Sequence, residues 1–348
     1  MTITKILNNV LPIRVAFAGS SANSLTILQE IADHSDFQVT QVVTPAPQKV
    51  GRKQLLTKNP VQLWAENQRI PLLLVEQDLY EPPPQKDPPD YLLVVDFGYW
   101  LPHSFLTWPK VAALNLHPAA LPAWRGSSPG QMVLLADEDH SAMTLIRLVS
   151  KLDSGPIIFQ YPFEVDPTWT TQDYYQHSFQ MVSAQVPLWI KDHYYQKISE
   201  KPQPSQSPTP LARKIAKTDT FIPWSLLKHM IIDEFQSATE EKEGKITEIF
   251  ASNLRQLSST SLLASFLKNQ PQQVWPQVLE RATRAFYPWP ILWTIIPTNQ
   301  GDKRMQILQT HLVPRANISF LFLDQVKIEG QQTRKWSDVK NCLRKEQN

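Results

Sequence analysis

Three side chains in two short segments could act together on a carbonyl group. Asn115 and His117 stand two residues apart in Asn115-Leu116-His117-Pro118. The apolar run Ala112–Leu116 has strand character, and residues i and i+2 of a strand point to the same side. Pro118 would stop the ladder there. An amide beside an imidazole offers two donors that can converge on a developing oxyanion, and the imidazole can also move a proton near neutral pH. The competing reading is structural, because a strand-end Asn or His commonly satisfies local backbone groups. Asp153, in Lys151-Leu152-Asp153-Ser154-Gly155, follows a second apolar run, Thr144–Val149. A carboxylate reaching His117 would orient the ring and favour its cation. An Asp-Ser-Gly turn accounts for the same residues without chemistry.

Other chemistries fit less well. Gly126-Ser127-Ser128-Pro129-Gly130 matches the G-x-S-x-G pattern of a serine-hydrolase elbow. That elbow needs a strand before the serine and an N–H after it; Pro122 interrupts the first and Pro129 lacks the second. Gly19 ends an apolar run, but the G-x-G-x-x-G of a dinucleotide site is absent. The eight histidines show no metal-ligand spacing.

The elements that would position these residues alternate between strand and helix. Ile13–Ala18 reads as a buried first strand, followed by a helix capped by Asn23 with Leu25, Leu28, Ile31 and Ala32 on one face. Strand-like runs recur at Phe37–Thr44, Pro71–Val75, Tyr91–Val95, Ala112–Leu116 and Thr144–Val149. The segments between most of them can hold crossover helices, which predicts an α/β fold with a mostly parallel sheet. Ligands then bind beyond the carboxyl ends of the strands. Glu200–Pro210 carries four prolines among polar residues and reads as an extended, semi-rigid linker. The expected division is a first domain over 12–199, a linker over 200–211 and a second domain over 212–348. In the second, helical patterns between about Leu226 and Lys268 precede strand-like pieces at Arg304–Leu312 and Ile318–Ile328.

Composition sets outer limits. A chain of 348 residues can hold two cores. The single cysteine, Cys342, excludes an internal disulfide and a multi-cysteine zinc site. No run reaches the ~18–20 apolar residues of a membrane span, and the first dozen residues lack the features of a secretory or transit signal. A cytoplasmic protein with no membrane partner is expected, and a monomer. The net charge of +2 does not mark a nucleic-acid binder, although nine Lys/Arg against four Asp/Glu from Lys303 onward would permit a phosphate contact.

The chain resembles the methionyl-tRNA formyltransferases, within the wider group of folate-dependent formyltransferases. Asn115-Leu116-His117-Pro118-Ala119-Ala120-Leu121-Pro122-Ala123-Trp124-Arg125-Gly126 is similar to their NxHxSLLPxxRG signature, and Leu152-Asp153-Ser154-Gly155 to their LDTG element. Val43-Thr44-Pro45, Gly51-Arg52 and Asn59-Pro60-Val61 follow the family's early loop, and Phe97-Gly98 and Leu101-Pro102 a further stretch. Lys214-Ile215-Ala216-Lys217, Ile222-Pro223-Trp224-Ser225 and Arg284-Ala285-Phe286-Tyr287-Pro288-Trp289-Pro290 resemble the C-terminal elements KISK, IDW and RAFNPWP. Those elements favour tRNA over an amino sugar or another small amine as acceptor, and retention of Asn115, His117 and Asp153 speaks against a catalytically silent tRNA- or folate-binding relative.

The resemblance implies a Rossmann-like formyltransferase domain, then a small, OB-like β-barrel domain that helps bind tRNA. It implies 10-formyltetrahydrofolate as donor, initiator methionyl-tRNA as acceptor, and no metal. Asn115, His117 and Asp153 become the catalytic trio. Folate contacts fall on Phe97, Gly98, Tyr99, Leu101, Pro118, Asp137, Asp139 and Ser141. Contacts with tRNA fall on Lys49, Arg52, Lys53, Lys214, Lys217 and Arg284. Departures from the pattern are Ser20-Ser21, Ala119-Ala120, Val149 and Pro223. The largest is an insertion at about 226–280, expected to form a helical hairpin.

Overall fold

In a computed structural model, residues 11–50, 54–82, 87–231, 261–315 and 318–344 are described. The chain divides into two compact units. The first comprises the chain up to Pro129, His140–Glu164 and Tyr175–Ala212. Gly130–Asp139, Val165–Tyr174 and the chain from Arg213 onward make up the second, so the division is not a single cut.

The first unit is built on a seven-stranded sheet in the order β5-β2-β1-β6-β7-β8-β9. Its strands are β1 (Ile13–Gly19), β2 (Phe37–Pro45), β5 (Leu72–Val75), β6 (Tyr91–Val95), β7 (Ala112–His117), β8 (His140–Arg147) and β9 (Ile157–Glu164). A small separate hairpin pairs β3 (Gln48–Val50) with β4 (Leu55–Thr57). The first five strands of the order run parallel, whereas β7–β8 and β8–β9 are antiparallel. Their apolar composition follows from burial: Val15, Phe17, Leu92, Leu93 and Leu114 are fully enclosed, as expected where both faces of a sheet are covered.

Local chemistry sets the helix starts. Ser21, rather than Asn23, caps the helix Ala22–Asp33: its hydroxyl accepts from Ser24 N–H, and Ser24 closes a capping box. The Ser20-Ser21 departure thus supplies the cap. Asn59 caps Pro60–Asn67 by accepting from Gln62 N–H at 2.9 Å, and its amide donates to Pro45 O. Thr44 bridges Gly19 O and Asn59 Oδ1. The early-loop motifs therefore tie the ends of β1 and β2 to the next helix.

The second unit holds a four-stranded antiparallel sheet, β10 (Leu292–Thr298), β11 (Gly301–Arg315), β12 (Ile318–Ile328) and β13 (Arg334–Lys335), in that order. It is consistent with a small barrel. Within the insertion, helices Leu262–Lys268 and Trp275–Ala285 are described; the rest of the expected hairpin, 232–260, lies outside the described residues. Trp275–Ala285 packs on β11 and β12 with Val278, Leu279 and Ala282 fully buried. Trp275 Nε1–H donates to Leu267 O at 2.9 Å, which joins the two helices. Among the described residues no helix is long and apolar enough to cross a membrane.

Candidate active site

The sheet's strand order places the candidate residues beside one another. Asn115 ends the parallel pairing of β7 with β6, opposite Val94, and His117 pairs with Thr144 of β8. The loop that follows β6 carries Phe97, Gly98, Tyr99 and Leu101 next to the end of β7. Phe97, Tyr99 and Leu101 are partly buried against the apolar cluster around Leu92, Val94 and Phe105, and the Phe97 and Tyr99 rings lie 5.4 Å apart.

Asp153 arrives from the loop between β8 and β9. Because β8 is antiparallel, this loop leaves from the amino-end side of β7 and must fold back to reach His117. Gly155 permits the return: a Cβ there would collide with Arg147 O. Asp153 takes φ +46°, a conformation that Asp tolerates better than most residues. Its Oδ2 accepts from Gly126 N–H at 2.9 Å and lies 3.7 Å from His117 Nδ1. Asn115 Nδ2 donates to Asp153 Oδ1 at 3.4 Å. Both His117 and Asp153 are buried, at 4% and 6% exposure.

His117 Nε2 lies 3.1 Å from Trp124 O. A carbonyl only accepts, so Nε2 carries the hydrogen. The ring thus lies between a carbonyl that accepts from Nε2 and a carboxylate 3.7 Å from Nδ1. Chemically, the cluster can present an amide and an imidazole to a substrate oxygen and a carboxylate to a departing proton.

The other predicted positions are scattered. Pro118 directly follows β7, and Ser141 is buried on β8 opposite Phe163. Asp137 and Asp139 belong to the second unit; there Asp137 accepts from Arg281 Nη1 at 2.7 Å, and Asp139 O from Val165 N–H. Lys49 is exposed on the β3–β4 hairpin, whereas Arg52 and Lys53 lie outside the described residues. Lys214 and Lys217 are exposed in the second unit. Arg284 is committed within that unit, to Glu280 through Nε and Nη2 and to Trp169 O through Nη1. The serine-elbow reading fails structurally: β7 ends at His117, and Ser128 N–H donates to Ala212 O in a loop that leads into the helix Pro129–Ala136.

Sequence reasoning missed Trp124, Gly126, Gln203 and Thr209. The first two lie in the quoted signature, whose Arg-Gly pair signals a tight backbone approach. Nothing in the sequence marks the latter two.

The fold and the candidate site together are those of an α/β domain that gathers an amide, an imidazole and a carboxylate near the carboxyl end of β7. Residues 13–186 match the family described as formyl transferase, and the chain belongs to that family. A methionyl-tRNA formyltransferase from Bacillus cereus (strain B4264) is 31% identical over 187 residues, covering 51% of this chain and 59% of the relative. One from Bacillus cytotoxicus is 30% identical over the same coverage. The chain therefore spans about three-fifths of the curated relatives it matches. Among solved structures, a variant of HypX from Aquifex aeolicus superposes with a TM-score of 0.51 at 11% identity, covering 94% of this chain and 48% of that one; this is a likeness of fold.

Proposed function

We propose that this chain transfers the formyl group of 10-formyltetrahydrofolate to the α-amino group of methionine on initiator tRNA. The observation that carries the reading is the convergence of partly buried Asn115 with buried His117 and Asp153 in a formyl transferase. The relatives' names support the acceptor, as do the Lys214–Lys217 and Arg284–Pro290 segments. The aromatic and apolar side chains of the Phe97–Leu101 loop suit the flat pterin of the folate, with Pro118 and Ser141 nearby in the same unit. Lys49, Arg52, Lys53, Lys214 and Lys217 would meet tRNA phosphates. Arg284 would shape that surface through its bonds to Glu280 and Trp169.

The unprotonated amine attacks the formyl carbon, forming the new C–N bond as the carbonyl electron pair moves onto oxygen. One Asn115 amide hydrogen points to Asp153, and the second is the donor for that oxygen. His117 Nε2–H is the other donor; the oxyanion is a stronger acceptor than the Trp124 carbonyl and displaces it. Asp153 keeps the ring in place from the Nδ1 side and helps relay the proton shed by the amine. Collapse breaks the bond between the formyl carbon and N10 of the folate, whose nitrogen leaves with the electron pair and takes up a proton. No bond to the protein forms.

The test is formyl transfer from 10-formyltetrahydrofolate to methionyl initiator tRNA by wild type, Asn115→Ala and His117→Ala. Each variant is expected to lose about 10²–10³-fold in kcat, the usual effect of removing one oxyanion donor. Wild-type rates in both would refute the proposed site. Wild type that binds tRNA without forming product would refute the function.

A further inference from the structure

The two residues whose groups flank His117, Trp124 with its carbonyl and Asp153 with its carboxylate, are both held through their main chains by one proline-rich segment, Glu200–Ala212. We propose that Gln203 and Thr209 of this segment are positioning residues of the transfer site. The inference rests on the formyl-transfer reading above.

The composition of the segment suits a spacer, yet it is fastened along its length to the first unit. At its start Glu200 receives Arg147 Nε at 2.9 Å and His193 Nε2 at 3.0 Å, and Lys201 exchanges two backbone hydrogen bonds with Ile157 at the head of β9. Gln203 then reads both active loops at once. Its Nε2 donates to Asp153 O at 3.0 Å and to Gly155 O at 2.7 Å. Its Oε1 accepts from Arg125 Nη2 at 2.8 Å and Nε at 3.2 Å. Arg125 is only 5% exposed, so this neutral acceptor, with Pro204 O, helps satisfy a buried cation. Further on, Thr209 Oγ1 accepts from Trp124 N–H at 2.7 Å, and Ser207 donates to Pro122 O. Ala212 closes the segment by donating to Arg125 O and accepting from Ser128 N–H.

The need for such a strap is visible in the loops it touches. Neither 118–128 nor 148–156 contains a strand or helix. Trp124 and Asp153 adopt φ +55° and +46°, which for a bulky residue such as Trp124 is strained. Strain of that kind persists only where the surroundings over-determine it, and Thr209 and Gln203 supply the bonds that do so. Displacing a catalytic group by ~1 Å can cost on the order of 100-fold in rate, so loss of either contact would reach His117 through its partners.

The experiment compares wild type, Gln203→Ala, Gln203→Glu and Thr209→Val in the full chain. It reads kcat, KM for both substrates, and amide hydrogen exchange at Gly126, whose N–H donates to Asp153 Oδ2. Gln203→Ala and Thr209→Val are expected to lower kcat by about tenfold to a hundredfold, with KM within about twofold. In Gln203→Ala, Gly126 should exchange faster while β1 and β6 keep their protection. Gln203→Glu keeps an acceptor for Arg125 but offers no hydrogen to the loop carbonyls, and should behave like the alanine variant. Wild-type kcat in the variants, recovery by glutamate, or a loss of protection spread over the whole sheet would overturn the proposal. Should wild type transfer no formyl group, the functional reading fails, and Gly126 exchange still decides whether Gln203 positions Asp153.

Discussion

The His117 ring is flanked by the Trp124 carbonyl and the Asp153 carboxylate, and both of those residues sit on left-handed backbone. The i, i+2 spacing of Asn115 and His117 and the stop at Pro118 were enough to read them as a pair. The approach of Asp153 was legible only as one of two alternatives, because an Asp-Ser-Gly turn looks the same whether or not its carboxylate meets an imidazole. Trp124 was not legible as a partner at all, since its contribution is a main-chain carbonyl that no side-chain type encodes. Gly126 joins these pieces: it gives its N–H to Asp153, sits at φ +127° and has Ala212 O where a Cβ would be. Gly126→Ala should therefore combine backbone strain with overpacking, each about 1–3 kcal/mol. Urea unfolding should show a loss of about 3 kcal/mol, together with reduced transfer activity; wild-type stability would mean that the loop can shift away from the strap at little cost.

Strand positions were largely visible from apolar runs: Tyr91–Val95 and Ile318–Ile328 coincide with β6 and β12, and Ile13–Ala18 falls one residue short of β1. The run Thr144–Val149 lies late relative to β8, which begins at His140. Its direction was also illegible, because an apolar run carries no information about antiparallel pairing. Ile157–Glu164 was overlooked as a strand; its side chains from Phe159 to Tyr161 are partly exposed or exposed, as befits an edge, so it lacks a solid apolar signal. The proline-rich segment reads as a spacer for a related reason: extended backbone looks the same whether it crosses solvent or lies along a protein surface. Its anchor is a partly buried network in which Tyr91 OH meets His193 Nδ1, and Glu200 meets His193 and Arg147. Burial raises the Tyr91 phenol above its ordinary value. Burial would also raise Glu200, but hydrogen bonds from Arg147 and His193 outweigh it and hold the carboxyl below its ordinary 4.5. A carboxyl lowered by folding contributes stability above its unfolded value, and that contribution is lost as pH falls through the native value. Glu200→Gln should thus cost about 1–2 kcal/mol at pH 7, with the difference from wild type narrowing below about pH 4.5. A pH-independent difference in denaturant titrations would argue against the charge as its source.

At the level of the whole molecule, a net charge of +2 does not mark a nucleic-acid binder, so a tRNA contact would rest on locally clustered lysines and arginines. In the second unit, Asp219 shapes the segment proposed for such a contact. It is 3% exposed, pairs with Arg213 and accepts from the N–H groups of Ala216 and Leu262, which fastens the segment that presents Lys214 and Lys217. Burial opposes ionisation of Asp219, but the Arg213 bond and these backbone donors keep its carboxyl below the ordinary range. If the two lysines neutralise phosphates, the double variant Lys214→Ala/Lys217→Ala should weaken tRNA binding and reduce the slope of log K against log salt by about one to two. An unchanged slope would move the contact elsewhere. The family match ends at residue 186, so the chain from Arg213 onward, including the described insertion helices on β11 and β12, lies beyond it.

The most direct test is single-turnover transfer of a labelled formyl group from 10-formyltetrahydrofolate to methionyl initiator tRNA by the purified chain, with His117→Ala run in parallel. Wild type is expected to yield N-formylmethionyl-tRNA, and the variant a rate lower by about two to three orders of magnitude. Absence of product from wild type, or equal rates from the two proteins, would contradict the proposed function.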